Sequence, residues 1–427
     1  MKYVAGFGWA VKPLGDLVDV LDRLRKPITK KDRKEGAYPY YGATGVLDHV
    51  DGYLFDEPLV LIGEDGAKWE AGATSAFAIE GKTWVNNHAH VVRPHRDRVL
   101  DDWLIYYLNG ADLMPFISGM TVPKLNQGRL REIPIPLPPL EEQQRIVVVL
   151  DEAFEGLARA RAHAEANLKD LNELVDSQFD LAVSGSFCGP APTDDLVKHF
   201  LDEVAEKRKT KKGAKDFSLP DDFDDARPLR DGWQWVPLGN LSSKISDGVH
   251  KTPKYVEQGI PFITVKNLTA APGISFAETK FITESDHREF IKRTHPEKGD
   301  ILISKDGTIG VVRKIDTDRI FSIFVSVALV KPIDVQLSDY LTIALQARSV
   351  QEQIVPKGAA LKHLYLNDLR RLPIPIGPLP DLKRTVSRMG EVAQDLQQLE
   401  IALSQKLQDL DDLRQSLLQK AFAGELT

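Results

Sequence analysis

The spacing of apolar positions changes along this chain, and the same change happens twice. In residues 1–139, short apolar runs such as Leu59-Val60-Leu61-Ile62 and His90-Val91-Val92 are bounded by glycine, aspartate and proline, as strands are. Pro134, Pro136, Pro138 and Pro139 follow. Without N–H donors they predict an extended exit with no regular structure. The period then becomes 4 and 3 alternately, through Leu150, Phe154, Leu157, Arg161, Ala164, Leu168, Leu171 and Val175. That is a heptad seam, the spacing that keeps one stripe toward a partner helix. Glu141 and Glu142 suit a helix N-terminus, and Gly185 suits a C-terminal cap. A helix over 141–183 would be roughly 65 Å long at 1.5 Å per residue. It cannot bury its stripe alone.

The second half repeats the order. Residues 231–378 again read as short strands, leaving through Pro373, Pro375 and Pro378. A second helix over 381–427 has its seam at Leu396, Leu403, Leu407, Leu410, Leu413 and Leu417. Gly8-Trp9-Ala10-Val11-Lys12-Pro13-Leu14-Gly15 returns 224 positions later as Gly232-Trp233-Gln234-Trp235-Val236-Pro237-Leu238-Gly239. Ile133-Pro134-Ile135-Pro136 returns 239 positions later as Leu372-Pro373-Ile374-Pro375, and that offset holds to the end of the chain. The second middle is therefore 15 residues longer. Matched frames around unmatched middles imply a duplicated scaffold carrying two different readers, not a solenoid.

The expected architecture is α+β and pseudo-two-fold symmetric. Two mixed α/β domains, 1–139 and 231–379, are separated by two long antiparallel helices, 140–185 and 380–427, with a linker at 186–230. Antiparallel pairing would hold the domains at opposite ends of an intramolecular coiled coil. Along the seam, Leu157, Arg161, Leu168 and Leu171 would face Glu400, Leu403, Leu407 and Leu410. Arg161 and its repeat equivalent Glu400 are expected to pair near the symmetry axis, because an unmatched charge there is costly.

Composition narrows this picture. A chain of 427 residues divides into several domains. One cysteine, Cys188, excludes an intrachain disulfide and fits a reduced, cytoplasmic setting. No apolar run approaches the ~18 residues of a membrane span, and Met1-Lys2-Tyr3-Val4-Ala5-Gly6-Phe7 is too short and glycine-broken for a signal peptide. In the linker, Lys207, Arg208, Lys209, Lys211, Lys212 and Lys215 precede Asp221, Asp222, Asp224 and Asp225. Such charge blocks predict a solvated loop, with a basic arm touching phosphates as the alternative. The net charge of −7 leaves nucleic-acid binding open, because local clustering decides it.

Catalytic constellations are missing. Gly81-Lys82-Thr83 lacks the upstream glycine of a phosphate loop, Ala76 standing there. His88-Ala89-His90 has no cysteine or downstream glutamate to complete a metal set, so satisfied strand histidines are the better account and no metal is assigned. Asp65 and Asp306 precede glycines and read as turn residues. No Gly-x-Ser-x-Gly, His-Glu-x-x-His, or Asn/Asp-Pro-Pro-Tyr motif occurs. What remains is binding. Lys68, Trp69, Lys251, Lys254, Lys266, Lys305 and Thr308 are polar, basic or aromatic side chains of the two middles of the kind that reaches phosphates and base edges. Asn86, Asn87 and Asn267 are candidates for base edges. A protein–protein scaffold with two interaction domains on a coiled-coil spacer is the rival from another class. An enzyme using His88 and His90 is a third.

The chain resembles the specificity subunits of type I restriction–modification systems over essentially its whole length. The likeness rests on the doubled Trp-x-x-x-Pro-Leu-Gly motif and on Ile133-Pro134-Ile135-Pro136-Leu137-Pro138-Pro139-Leu140-Glu141-Glu142-Gln143-Gln144-Arg145-Ile146. It rests also on the helix ending Ala421-Phe422-Ala423-Gly424-Glu425-Leu426. Gly377-Pro378-Leu379-Pro380-Asp381-Leu382-Lys383-Arg384 departs from that pattern by lacking the Glu-Gln pair. The resemblance implies a non-catalytic subunit whose two target-recognition domains each read half of an asymmetric, bipartite double-stranded DNA sequence. The helices would set the unread gap, and the resemblance makes Lys68, Trp69, Lys124, Asn126, Lys251, Lys254, Lys266, Lys305, Thr308 and Lys357 the candidate DNA contacts, the lysines mainly to phosphates. The expected partners are two modification subunits, using S-adenosylmethionine to methylate adenine, and restriction subunits that hydrolyse ATP. No cofactor is expected in this chain.

Overall fold

The computed structural model describes residues 8–119, 122–188, 194–211, 215–224, 229–358 and 362–426. Lys212, Asp225 and the stretch 1–7 lie outside the described residues. The fold is mixed α+β, with two sheet-containing domains and two 44-residue helices, Leu140–Val183 and Leu379–Phe422. The chain forms two compact units: Met1–Asn167 with Ala402–Thr427, and Leu168–Ile401.

In the first unit, Val18–Val20, Ala89–Pro94, Leu59–Gly63 and Ala76–Ile79 form an antiparallel sheet in that order. In the second unit, Ser242–Asp247, Val327–Pro332, Ile301–Ser304 and Val312–Lys314 repeat it. The central strands are apolar on both faces for a reason. Val60 and Ile62 join one core cluster while Leu59 and Leu61 join another. Ile301 and Ile303 likewise separate from Leu302. Each of these strands is buried on both sides, so polar alternation disappears. A further small sheet in each unit contains a parallel pair, Tyr38–Gly42 with Lys82–Val85 and Ile260–Ile263 with Ser322–Ile323.

The proline segments correct the expectation of an irregular exit. Pro134–Leu137 pairs antiparallel with Ala10–Pro13, and Pro373–Ile376 with Gln234–Pro237. Prolines at alternate positions leave every second N–H for a two-stranded ladder. The repeat extends to side chains: Trp103 Nε1 donates to the Pro136 carbonyl at 2.9 Å, and the Tyr340 hydroxyl donates to the Pro375 carbonyl.

Within the first unit, Ile146 and Leu150 share a core with Leu418 and Ala421, Arg414 lies over the Phe154 ring, and Arg161 reaches Asp411. Later positions on one helix meet earlier positions on the other, so the segments run antiparallel. In the second unit Phe179 and Val183 share a core with Leu382 and Val386, and Cys188 Sγ lies 3.9 Å from Thr385. Leu171 and Leu403 are buried, Leu157, Leu168, Leu407 and Leu410 are half-buried, and Glu400 is exposed.

Two further expectations are corrected. Arg161 bonds Glu165 and Asp411 rather than Glu400. Heptad spacing fixes which face is apolar but not the register, which here lays Arg414 over the Phe154 ring and buries Leu418 in the first unit's core. The segment expected as a solvated loop contains a helix, Asp194–Lys209. Val197, Phe200 and Val204 are buried on one face, and Phe200 and Val204 join the second unit's core beside Leu238 and Leu241.

Candidate nucleic-acid interface

Each unit presents the same tip. The central strand ends in an acidic or basic residue followed by Asp-Gly: Glu64-Asp65-Gly66 after Leu59–Gly63, and Lys305-Asp306-Gly307 after Ile301–Ser304. Gly66 and Gly307 have φ near +70°, which glycine adopts without strain. A hairpin loop closes beside each turn through reciprocal backbone bonds, Ser118 with Lys124 and Lys357 with His363. These loops are bridged to Asp65 and Asp306. The Leu125 N–H donates to the Glu64 carbonyl at 2.8 Å, and the Leu364 N–H donates to the Lys305 carbonyl at 3.0 Å. An imidazole caps each aspartate, His88 on Asp65 and His363 on Asp306.

Beneath the first tip lies a buried ion network. Asp22 accepts from the Val91 N–H at 3.0 Å and contacts His90 at 2.6 Å. His90 is fully buried, and its second ring nitrogen bonds the Leu125 carbonyl at 2.7 Å. Glu64 holds Arg25 and, at 2.8 Å, Lys124. Burial would push the Asp22 carboxyl up, but His90 and the charge of Arg25 outweigh it and hold it below the usual range. The Glu64 hydrogen bond raises Lys124. Asp22, Glu64 and His90 offer donor atoms within 4.8 Å of one another. Arg25, Lys124 and the Leu125 carbonyl already satisfy them, so the set works as a braced charge network rather than an open metal cradle.

The second tip inverts the sign. Lys305 is buried and bonds Asp247 at 2.9 Å. Asp247 also takes Arg293 and lies 3.4 Å from His250. Burial works against the Asp247 carboxylate, but Lys305 and then Arg293 hold it below the ordinary range. Next along the chain, a Cβ at Gly248 would lie 2.1 Å from the Ile323 carbonyl oxygen. Glycine there lets the loop carrying Lys251 and Lys254 fold down against the strand Ser322–Ile323.

The residues expected to touch DNA therefore separate into two groups. Lys68, Asn87, Asn126, Lys251, Lys254, Lys266, Thr308 and Lys357 are exposed, and Lys124 is partly so. Lys124, Asn126 and the Glu64 turn come together at one tip, and Thr308 and Lys357 belong to the other. Asn126 bonds Ser118 Oγ at 2.6 Å, and Lys357 bonds Asp368 at 2.9 Å. The others are buried scaffolding. Trp69 donates to the Gly63 carbonyl, Asn86 accepts from the His88 N–H, and Asn267 forms the capping box of the helix Val265–Thr269 with Thr264. Lys305 is committed to Asp247. Buried side chains with their bonds already made position the surface and do not reach a duplex. Sequence reasoning missed Asp22, Arg25, Arg293, Lys362, His363 and Tyr365. Of these, Lys362 and Tyr365 are exposed on the second loop, Tyr365 edge-on to His363 at 4.9 Å. The constant offset of 239 residues, which carries Lys124 onto His363 and Asn126 onto Tyr365, is the signal that could have found this loop.

Comparison with known proteins agrees with this doubled arrangement. The family profile described as the type I restriction modification DNA specificity domain matches residues 7–163 and again 230–409. A putative type I restriction enzyme specificity subunit of Haemophilus influenzae is 26% identical over 378 residues, 88% of this chain and 85% of that one. The EcoDI specificity subunit of Escherichia coli is 22% identical over 98% of this chain and 89% of its own length. Among solved structures, a chain from a study of complex assembly and conformational transition in the type I R-M system has a TM-score of 0.67 at 19% identity. It covers 99% of this chain and 100% of that one. The HsdS subunit of Thermoanaerobacter tengcongensis has a TM-score of 0.54 at 18% identity, covering 99% of each chain. With the profile matched twice, once on each tip-bearing domain, the chain belongs to the type I restriction–modification DNA specificity family, whose members are the non-catalytic, DNA-recognising subunits of those systems.

Proposed function

We propose that this chain reads an asymmetric, bipartite duplex sequence, one half-site for each tip, and directs partner subunits to it. The readers are residues 1–139 and 231–379, joined through the long helices 140–185 and 380–427 and the segment 186–230. Two modification subunits carrying S-adenosylmethionine methylate adenine in the target, and restriction subunits hydrolyse ATP and cut DNA. The complex works in the cytoplasm, and this chain holds no cofactor.

One observation carries the reading: the same backbone tip is built twice with different side chains. Lys124, Asn126 and Gln127 follow the first loop where His363, Tyr365 and Leu366 follow the second. The same frame with different donors is what two unlike half-sites require, because base edges are told apart by donor and acceptor pattern. Exposed lysines on each reader supply sequence-independent phosphate contacts, which set register on the duplex. Lys68 does this in the first reader, and Lys251, Lys254, Lys266 and Lys357 in the second. Asn87, Asn126 and Thr308 are the base-edge candidates on the accessible surface.

Base-resolution methylome sequencing of the host, with and without this gene, tests it. The expected result is one split adenine-methylated motif with unlike halves that vanishes on deletion. An unchanged methylome, with no duplex bound by the purified complex in low salt, would refute it.

A further inference from the structure

A basic cleft of about 660 Å³ lies on the second unit, and its lining reaches Asn367, two residues past Tyr365 of the tip. Arg208, Lys211, Lys215, Lys244 and Arg370 line it; among the described residues no carboxylate lines it, although Asp216, next to Lys215, pairs with Arg208 from outside the lining. Its frame is rigid. Arg208 is buried, bonding Asn240 Oδ1 at 2.7 Å, the Lys215 carbonyl and Asp216. Arg370 donates to the Ile245 carbonyl at 2.8 Å. Phe217 seals the floor, where a Cβ on Gly239 would approach it to 2.5 Å. The lysines differ from the arginines. Lys211, Lys215 and Lys244 are exposed, and among the described residues none has a carboxylate partner. Lys244 rests only on the Arg293 carbonyl.

Three exposed ammonium groups beside Arg370 and the Asp216-paired Arg208 make a local surplus of positive charge that attracts a polyanion, while the chain as a whole carries a net charge of −7. The cleft also continues toward the tip. Lys244 and Asp247 share the strand Ser242–Asp247, three residues and so roughly 10 Å apart. Arg293 joins them, its carbonyl on Lys244 and its guanidinium on Asp247. A nucleic-acid strand carries one phosphate per ~3.4 Å of axis, so neighbouring phosphates repeat on a scale that a distance of roughly 10 Å can engage. The first repeat does not keep these positions: Asp16, Asp19 and Val20 stand where Asn240, Ser243 and Lys244 stand.

We propose that this cleft is a one-sided clamp for the phosphate backbone of the bound duplex, adding affinity without reading bases. The proposal rests on the DNA-recognition reading above and assigns a role to the charged linker that joins the two repeats.

The test uses the full chain in complex with its modification subunit, and the triple variant K211A/K215A/K244A. From residue 215 Arg208 takes only the backbone carbonyl, so that anchor survives. Binding is measured from 50 to 200 mM salt on a duplex carrying the methylated motif and on one lacking it. The slope of log K against log salt should fall by about two to three, since each lost phosphate contact removes ~0.9. Affinity should fall by the same factor on both duplexes, the methylated motif should not change, and K211R/K215R/K244R should restore the slope. An unchanged slope with thermal stability intact overturns the clamp. So does a loss confined to the target duplex, which would mean base reading. Loss of the modification subunit with the slope intact also overturns it, because the cleft would then dock protein. If the wild-type complex itself binds neither duplex, the DNA-recognition reading fails before the clamp is at issue.

Discussion

Glu64 and Lys305 occupy the same backbone position with opposite charge. Each closes the central strand, each precedes Asp-Gly, and each carbonyl takes the N–H of the leucine after the hairpin loop. Neither charge is tolerable in a core without a partner, so each reader has built a different one, Arg25 with Lys124 in the first and Asp247 in the second. Sequence alone could not reveal this. An Asp-Gly turn is visible from two letters, but whether the lysine before it faces water or a buried aspartate depends on strands 58 residues apart. Lys305 therefore reads as a phosphate contact in the sequence and is a brace in the structure. Asp247→Asn should strand the buried ammonium and destabilise the second unit by about 3–5 kcal/mol, read as a lower denaturation midpoint. Asp247→Asn with Lys305→Met should recover most of it. The pH dependence has a definite sign. The folded Asp247 carboxyl is held low, so its stabilisation is complete above the unfolded carboxylate range near ~4. It is lost as pH falls through the lower folded value, and the double variant should lack that acid-side loss.

The elements differ in how much of them the chain discloses. The long helices and the doubled frame are legible, because a sustained heptad and a constant offset of 239 survive whatever the side chains do elsewhere. The linker helix is hidden. Val197, Phe200, Leu201, Val204 and Arg208 recur at helical spacing, but the flanking charge blocks suggest solvation, and only the hydrophobic surface of the second unit explains why that face folds down. Register is hidden too. Periodicity says which residues face a neighbour, not which neighbour they face, and Arg161 meets Asp411 in the same register that lays Arg414 over the Phe154 ring. Both side chains are about half exposed, 44% and 56%, so the pair is worth less than about 1 kcal/mol. It is a register marker more than a source of stability. In a double-mutant cycle, Arg161→Asp with Asp411→Arg should regain what either change loses alone. Arg161→Glu with Glu400→Arg should regain nothing, and a rescue by Glu400→Arg would show the register to be wrong.

For the whole molecule, the decisive property is that each unit has its own sheets, its own core clusters and its own ion network. Among the described residues the first tip's ion network does not draw on the second: Asp22, Arg25, Glu64, His90 and Lys124 all lie within 22–124. Changing one surface should therefore leave the other reader folded and selective. Asn126→Ala with Gln127→Ala removes exposed amides at the first tip. The cost to the scaffold is small, since the amides are released only from Ser118 and Asp22 and the backbone bonds of the loop remain. Discrimination at one or two base pairs of one half-site should fall by about 1–3 kcal/mol per lost pairing, seen in the methylome as degeneracy there. The other half-site and the spacing between the halves should stay as in the wild type. Degeneracy spread over both halves would mean that the tips do not read independently, and the duplication would then have to be understood as one composite surface rather than two readers.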